Sequence, residues 1–372
     1  MLLYNSLSRK KEQFIPFEDK KVKLYVCGIT PYDTTHLGHA FTYVIFDVLY
    51  RFLKYLGYGV TYVQNVTDVE DDLLKRAKRD GKNWKELGNF WTRRFLTDLK
   101  ALNVLPPTHY VKATGSIFAI IEIVKGLIDK GFAYVKNGNV YFQVKKFDRF
   151  GNLSQFTEKQ MVHFLRERGG DPNDHKKIHP LDFILWQKSK EDEPWWNSPW
   201  GKGRPGWHIE CSAMNYQFLG PQIDLHGGGR DLIYPHHESE IAQSESFTGA
   251  VPFSKYWMHI AMLMYQGEKM SKSLGNLVLV ANLLKKYSGD EIRWVLLSHH
   301  YRAPWEFHME ELDEAKRKIL LIKKNKFVPS SEHNKELLSY LSDDLNTPKI
   351  LGLMLARPKE YASFAKVLGF NF

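Results

Sequence analysis

Residues 27–39 read Cys27-Gly-Ile-Thr-Pro-Tyr-Asp-Thr-Thr-His-Leu-Gly-His39, and the segments on either side decide what this stretch is. Before it, Val22 to Val26 alternates and is rich in β-branched and aromatic residues, which predicts a strand. After it, Phe41, Val44, Ile45, Val48, Leu49, Phe52, Leu53 and Leu56 recur three and four apart, the pattern of a buried helix face. A strand that turns into a helix leaves free N–H groups and the positive end of the helix dipole at the turn, and both suit phosphate. His36 and His39 add donors there, and Gly38 leaves the backbone open to a flat ligand. Gly57 and Gly59 close the helix, and Val60 to Val66 alternates as a second strand ending in Asn65-Val-Thr-Asp68. Strand, helix and strand make a βαβ unit. The expected fold is therefore α/β: a Rossmann-like, doubly wound parallel sheet, with ligands at the carboxyl ends of its strands, where Cys27, Thr30 and Thr67 fall.

The 372 residues suffice for two or three domains around a sizeable core. Lysine and arginine number 52 against 42 acids, a formal charge of +10 and a pI near 9.2. Such a surplus fits an anionic partner such as RNA and is also met on solvated enzyme faces. No apolar run approaches the roughly 18 residues of a spanning helix. Arg9-Lys10-Lys11 follows too short an apolar start for a signal peptide, so a cytoplasmic location is expected. The two cysteines, Cys27 and Cys211, are too few for a disulfide framework.

Along the chain, residues 1–21 read as a polar and basic opening segment. Helices are expected from Glu70 to Arg79, Trp84 to Leu102, and Ser116 to Asp129, the last stopped by Gly131. Ala133 to Val144, centred on Asn137-Gly138, reads as a hairpin. Residues 145–200 read as loop-rich. These readings divide the chain into a first half of the sheet domain (1–110), a connective insertion (111–200), and a second half (201–268). A polar loop with following helices (269–328) and a helical C-terminal region (329–372) complete it. In the second half Gln222 to Leu225 reads as a strand, Gly227 to Gly229 on their own as a turn, and Pro235 as the first turn of a helix that sets His236 and Glu240 on one face. Tyr256 to Met264 reads as the last core strand. Beyond it lies a basic helix with Lys316-Arg-Lys318, Lys323, Lys324 and Lys326.

Two histidines on a first helical turn are, alone, more often a surface or core feature than a site. Their weight comes from Lys269-Met-Ser-Lys-Ser273, which follows Gly267 in a polar loop. In this order the two motifs resemble the signatures of class I aminoacyl-tRNA synthetases. The resemblance implies that His36, Gly38, His39, Lys269, Ser271 and Lys272 bind ATP, with magnesium on the phosphates, and that His36, His39, Lys269 and Lys272 stabilise the transferring phosphoryl group.

Cys27-Gly-Ile-Thr30, Pro205-Gly-Trp-His-Ile-Glu-Cys-Ser212 and His226-Gly-Gly-Gly-Arg-Asp231, followed by Pro235-His-His-Glu-Ser-Glu240, resemble the cysteinyl-tRNA synthetases in particular, from Leu3 to about Pro348. Cys27, Cys211, His236 and Glu240 are donors of the kind zinc takes, scattered over the chain except for the local His236–Glu240 pair. The resemblance implies one zinc on these four, and a cysteine pocket of Gly28, Thr30, Thr67, Trp207, His226 and Asp231, with Asp231 at the α-ammonium. Zinc would answer a real difficulty, because an apolar pocket separates neighbours differing by one group by only about 10- to 200-fold. A closed, purely structural zinc site is the competing reading.

The implied reaction is attack of the cysteine carboxylate on the α-phosphate of ATP, then transfer to tRNA(Cys). The chain also resembles the mycothiol-pathway cysteine ligase in Thr30–Ala40, Tyr62–Asp68, Arg168–Pro172 and His299–Arg302, which would make glucosaminyl-inositol the acceptor. His226, Glu240, Leu274-Gly-Asn276 and the basic helix favour tRNA. With Asp343–Pro348 marking the start of a helical domain and the sequence stopping at Phe372, recognition is expected mainly through the acceptor stem, by a monomer.

Overall fold

The computed structural model describes residues 1–270, 274–324 and 331–371. The chain opens with a hairpin of β1 (Leu2–Asn5) and β2 (Lys10–Gln13). This is more structure than its polar character predicts. Leu3 and Phe14 are buried, and the Asn5 side chain accepts from the Trp257 N–H at 3.1 Å and donates to the Lys255 carbonyl at 3.0 Å, pinning the hairpin to the edge of the main sheet.

The βαβ unit follows as β3 (Lys21–Ile29), α1 (Leu37–Tyr55) and β4 (Gly59–Val66), then α2 (Asp71–Arg79), α3 (Trp84–Ala101) and β5 (His109–Lys112). Next come α4 (Ile117–Asp129), β6 (Ala133–Lys136), β7 (Asn139–Phe142), α5 (Glu158–Glu167), β8 (Phe183–Lys188) and β9 (Gly203–Pro205). Strands β6 to β9 form an antiparallel sheet of their own. The span 145–200 is thus not merely loop: it contains α5, whose Thr157 and Gln160 make a reciprocal capping box, and β8.

The core then resumes with α6 (Trp207–Leu219), β10 (Ile223–Gly229), α7 (Glu238–Thr248) and β11 (Ser254–Ile260). Beyond it, β12 (Leu263–Tyr265), β13 (Glu268–Lys269) and β14 (Trp305–Glu306) form a small sheet. Helices α8 (Val280–Leu283), α9 (Gly289–Leu297), α10 (Glu310–Lys323), α11 (Ser331–Ser342) and α12 (Thr347–Ala356) follow. Among the described residues no helix is long and apolar enough to cross a membrane.

The main sheet runs β11-β10-β3-β4-β5, every pair parallel. Its chain order reverses between β3 and β10, the place where doubly wound sheets open a ligand crevice. Alternation along β3 decides which side chains enter which layer. Val22, Leu24 and Val26 pack with α1 and α9, whereas Tyr25 and Cys27 join the opposite core with α4, α6 and α7. The pleat therefore aims the Cys27 thiol at the helices that carry Cys211 and Glu240.

Three local expectations change. Gly227 to Gly229 continue β10 instead of making a turn, and a Cβ on Gly227 would lie 2.1 Å from the Phe46 ring of α1. Glycine is there for close packing. The expected strand from Tyr256 to Met264 divides into β11 and β12, in separate sheets. Helix α7 starts at Glu238, because Tyr234 is extended (φ −137°, ψ 135°) and a short turn over Ile233–His237 precedes it.

Behind the crevice a buried polar knot ties α1 to α9 and the C-terminal segment. Arg293, fully buried, pairs with Asp47 and donates to the carbonyls of Leu102 at 2.9 Å and Leu368 at 2.5 Å. The second Asp47 oxygen accepts from the Leu105 N–H at 2.8 Å. Removing one partner strands a buried charge. Asp47→Ala is expected to cost about 3–5 kcal/mol, read as a lower urea midpoint; a loss under about 1 kcal/mol would mean that water or a neighbour replaces the carboxylate.

Candidate functional site

The first wall of the crevice is the start of α1. His36 is its N-cap, in extended conformation, and its Nδ1 accepts from the His39 N–H at 3.3 Å. The two imidazoles stack with centroids 3.6 Å apart. A Cβ on Gly38 would come within 3.0 Å of the His36 ring, so the small residue lets the pair sit flat on the helix end.

The facing wall is the hairpin β12–β13, turned by Gln266 and Gly267 in left-handed conformations (φ 58° and 77°), which presents exposed Lys269. The chain beyond is stitched to the histidine motif: the Leu37 N–H donates to Val278 O at 2.8 Å and the Val280 N–H to Thr35 O at 3.0 Å. Two motifs more than 230 positions apart thus face each other across one opening. Ser271 and Lys272 lie outside the described residues.

Between these walls is a cavity of about 450 Å³. Of the residues singled out from sequence, Cys27, Gly28, Thr30, Asp231, His36, Gly38, His39 and Lys269 line it. Tyr32, Thr42, Tyr43 and Phe95 line it as well, and sequence reasoning missed them because each reads as an ordinary helix or loop residue. Thr67, Trp207 and His226 do not reach its wall. Thr67 is buried and accepts from Asn65 Nδ2 at 3.2 Å. Trp207 stacks on His236 with centroids 4.5 Å apart and lines a separate cavity of about 340 Å³. His226, with no exposure, sits 2.9 Å from Glu240.

Gly28 is fixed by backbone proximity. Its N–H donates to Asn65 Oδ1 at 2.7 Å, and a Cβ there would lie 1.6 Å from the Asn65 carbonyl oxygen. Gly28→Ala must push β3 and β4 apart at the crevice. A loss of about 3 kcal/mol or more is expected, visible as a lowered melting temperature; a neutral result would show that the strands can separate locally without penalty.

Behind the part of the wall that Cys27 forms, Cys27, Cys211, His236 and Glu240 are all buried, and their ligand atoms lie within 4.8 Å of one another. The Cys27–Cys211 Sγ separation is 4.0 Å, Cys27 Sγ to Glu240 Oε1 is 3.6 Å, and His236 Nε2 to Glu240 Oε1 is 3.0 Å. Tetrahedral zinc, at about 2.3 Å from sulfur and about 2.0 Å from nitrogen or oxygen, sets its ligands about 3.3–3.8 Å apart. The cluster fits such an ion with only small shifts.

Cys27, His226, His237 and Glu240 form a second, overlapping group. His237 Nε2 is 3.3 Å from Cys27 Sγ, and its Nδ1 is 2.8 Å from His259 Nε2. Neither His237 nor His259 was marked from sequence, although His237 stands beside His236 in the Pro-His-His-Glu run.

The electrostatics are those of a ligand set drawn together. Burial pushes the Cys27 thiol well up. Against the same desolvation, Cys211 is brought down to about 6 by the hydrogen bond with Cys27 and by His236. Burial, the largest single influence, would lower His236 and raise Glu240, but the surrounding charges and hydrogen bonds together outweigh it: Glu240 and Cys211 push His236 up to about 10, and His226 and His236 bring Glu240 down to about 2. A proton on His236 neutralises the anions when no cation does, and a bound metal would displace it.

The family described as tRNA synthetases class I (C) catalytic domain matches residues 13–317. The chain is 45% identical over 371 residues to a cysteine–tRNA ligase of Dehalococcoides mccartyi, covering 97% of this chain and 80% of that one. It is 42% identical to the cysteine–tRNA ligase of Thermodesulfovibrio yellowstonii (98% and 79% covered) and 46% identical to that of Legionella pneumophila (95% and 78%). The fold matches Mycobacterium tuberculosis methionyl-tRNA synthetase in complex with methionyl-adenylate, with a TM-score of 0.66 at 15% identity over 93% of this chain and 84% of that one. A parallel sheet whose switch point carries the two facing motifs, matched over most of its length in sequence, makes this chain a member of the class I tRNA synthetases, in the family of the cysteine–tRNA ligases.

Proposed function

We propose that the protein activates L-cysteine with ATP to cysteinyl-adenylate and transfers the cysteine to the 3′ end of tRNA(Cys), as a monomer in the cytoplasm. The observation that carries this reading is that Cys27, one of the four clustered donors, lines the same crevice as His36, His39 and Lys269. A metal site set apart from the catalytic space would have no reason to share a ligand with that wall.

The four donors would hold one zinc. When bound, zinc supplies a site for the substrate thiolate that a serine hydroxyl or an alanine methyl cannot fill. Donor chemistry favours this set over the overlapping one, since it contributes two sulfurs. His226 and His237 then act as outer partners that orient Glu240 and Cys27. Trp207, stacked on His236, and Thr67, bonded through Asn65 to the Gly28 strand, would shape the cysteine pocket from behind its wall.

Asp231, Gly28 and Thr30 border the space above the cluster, where Asp231 would take the α-ammonium and leave the carboxylate facing ATP. The α1 N-terminus with Gly38, His36 and His39 would receive adenine and phosphates, and Lys269, Ser271 and Lys272 would close on them, with magnesium on the phosphates. These groups act by positioning and by donors aimed at charge that grows during in-line displacement.

Recognition of tRNA mainly through its acceptor stem draws support from the +10 charge and from the run Lys316-Arg-Lys318 with Lys323 in the C-terminal half of α10. The cysteine ligase of the mycothiol pathway is not favoured, because the relatives matched over most of this chain are cysteine–tRNA ligases.

Labelled cysteine and ATP, offered tRNA(Cys) in one tube and glucosaminyl-inositol in another, test the reading. Charged tRNA alone is expected; label on the amino sugar alone would move the protein to thiol biosynthesis. Changes to the acceptor end should lower charging more than changes to the anticodon, and equal losses would refute the acceptor-stem preference.

A further inference from the structure

Lys269 reaches the crevice from a hairpin that has little of its own to hold it. Strands β12 and β13 pair Met264 with Lys269 and Tyr265 with Glu268, and both residues of β13 are exposed. Two strands of this length are marginal in water by themselves. Where Lys269 stands is therefore decided by what the hairpin leans on.

It leans on β14, whose two side chains point to opposite faces. Trp305 is buried and meets the Phe41 ring of α1 edge to face at 5.7 Å, while His299 stacks on it at 3.7 Å. Glu311 holds His299 in turn, Oε2 to Nε2 at 2.8 Å. Phe41 follows His39 by two residues, so β14 is seated on the same helix start that carries the histidine stack.

Strand β14 runs parallel to β12, with Met264 beside Glu306, and the Phe307 N–H donates to Met264 O at 3.0 Å. That bond fixes the base of the hairpin, and a lever held at one point can pivot. The second point is Glu306, whose Oε1 accepts from the Gly267 N–H at 2.8 Å. Gly267 lies in the turn, outside the paired positions, so its N–H is left over from the ladder. Asn276 also donates to the carbonyls of Tyr265 at 3.3 Å and Lys269 at 3.2 Å, which keeps the hairpin closed without tying its turn to β14.

Glu306 does not line the crevice and pairs with no cation among the described residues. By its charge an acid on this sheet works against phosphate. What it contributes is the bond to the turn.

We propose that Glu306 is a positioning residue for adenylate formation: it holds the Gly267 turn to β14, and through Trp305 to α1, and so sets the distance between Lys269 and the His36–His39 stack. The proposal rests on the reading that ATP is activated in this crevice.

Cysteine-dependent pyrophosphate exchange is measured for the unaltered protein, Glu306→Ala, Glu306→Gln, Lys269→Ala and the Lys269→Ala/Glu306→Ala double variant. A reacting group displaced by about 1 Å costs on the order of 10²-fold, so with Asn276 still in place Glu306→Ala is expected to lower kcat by about 10- to 30-fold. The KM for cysteine, the zinc content and the melting temperature should not change. Glu306→Gln keeps an acceptor for the Gly267 N–H and should stay within about threefold of the unaltered protein. Once Lys269 is gone, Glu306→Ala should cost less than about twofold more, because the two residues act as one unit.

Full activity in Glu306→Ala would overturn the proposal. So would an equal loss in Glu306→Gln, which would make the charge responsible, or an undiminished further loss in the Lys269→Ala background, which would mean that Glu306 acts on something else. A lowered melting temperature together with a raised KM for cysteine would reduce Glu306 to a support of the fold and also count against it. If the unaltered protein exchanges no pyrophosphate with cysteine, the reading of the crevice has failed and this proposal falls with it.

Discussion

Cys211→Ser is expected to leave the protein without bound zinc and to lower kcat/KM for cysteine by about 10⁴-fold. The substitution changes one atom in a buried position on α6, with 1% exposure, so little is asked of the packing. What it removes is the donor whose thiol stands lowest in pKa, at about 6, and hence the group most ready to give a thiolate. Hydroxyl oxygen is a poor ligand for zinc beside thiolate and imidazole. Glu240 would then be held by His226, His236 and the Cys27 thiol. Metal analysis reads the first consequence, cysteine-dependent pyrophosphate exchange the second, and circular dichroism checks that the fold persists. A folded variant that retains a full complement of zinc and activity within tenfold would show that Cys211 is not a ligand. The group of Cys27, His226, His237 and Glu240 would then be the one to examine.

Lys269→Ala is the second large effect. Lys269 is exposed at the end of a two-residue strand and supports no core, so stability should be unaffected within about 0.5 kcal/mol. It lines the same cavity as the His36–His39 stack, where the phosphates of ATP would lie. Removing one preorganised donor from developing charge costs on the order of 10²–10³-fold in rate. The loss should appear in the rate of adenylate formation, with the KM for cysteine changed little, because the cysteine end of the crevice is built from other residues. An unchanged rate with a raised KM for ATP would mean that Lys269 binds the nucleotide equally in ground and transition states.

The sequence made the central βαβ unit legible because periodicity there is unambiguous: β3, α1 and β4 each show one period over a full element, with glycines between. The pairing of the two halves was legible only through motifs. Nothing in the local pattern of Cys27, Cys211 and Glu240 announces that they meet; that follows from the alternation of β3 and from parallel pairing at the switch point, which are properties of the assembled sheet. Helix α5 was missed although Thr157-Glu-Lys-Gln160 is a capping box, since the glycines and prolines around it drew the reading toward loop. The glycines of β10 misled in the same way, because a run of glycine signals a turn unless one knows that Phe46 occupies the space beside it. His237 and His259 escaped notice because a histidine acts as an outer partner only through what it touches.

The most direct test is exchange of labelled pyrophosphate into ATP by the purified protein, with cysteine or serine, before and after zinc is stripped by a chelator that is then dialysed away, with excess magnesium in every assay. Brisk exchange with cysteine, none measurable with serine, and loss on stripping that zinc restores are expected. Exchange that proceeds equally with serine, or that survives complete removal of zinc, would contradict cysteine selection by a zinc site.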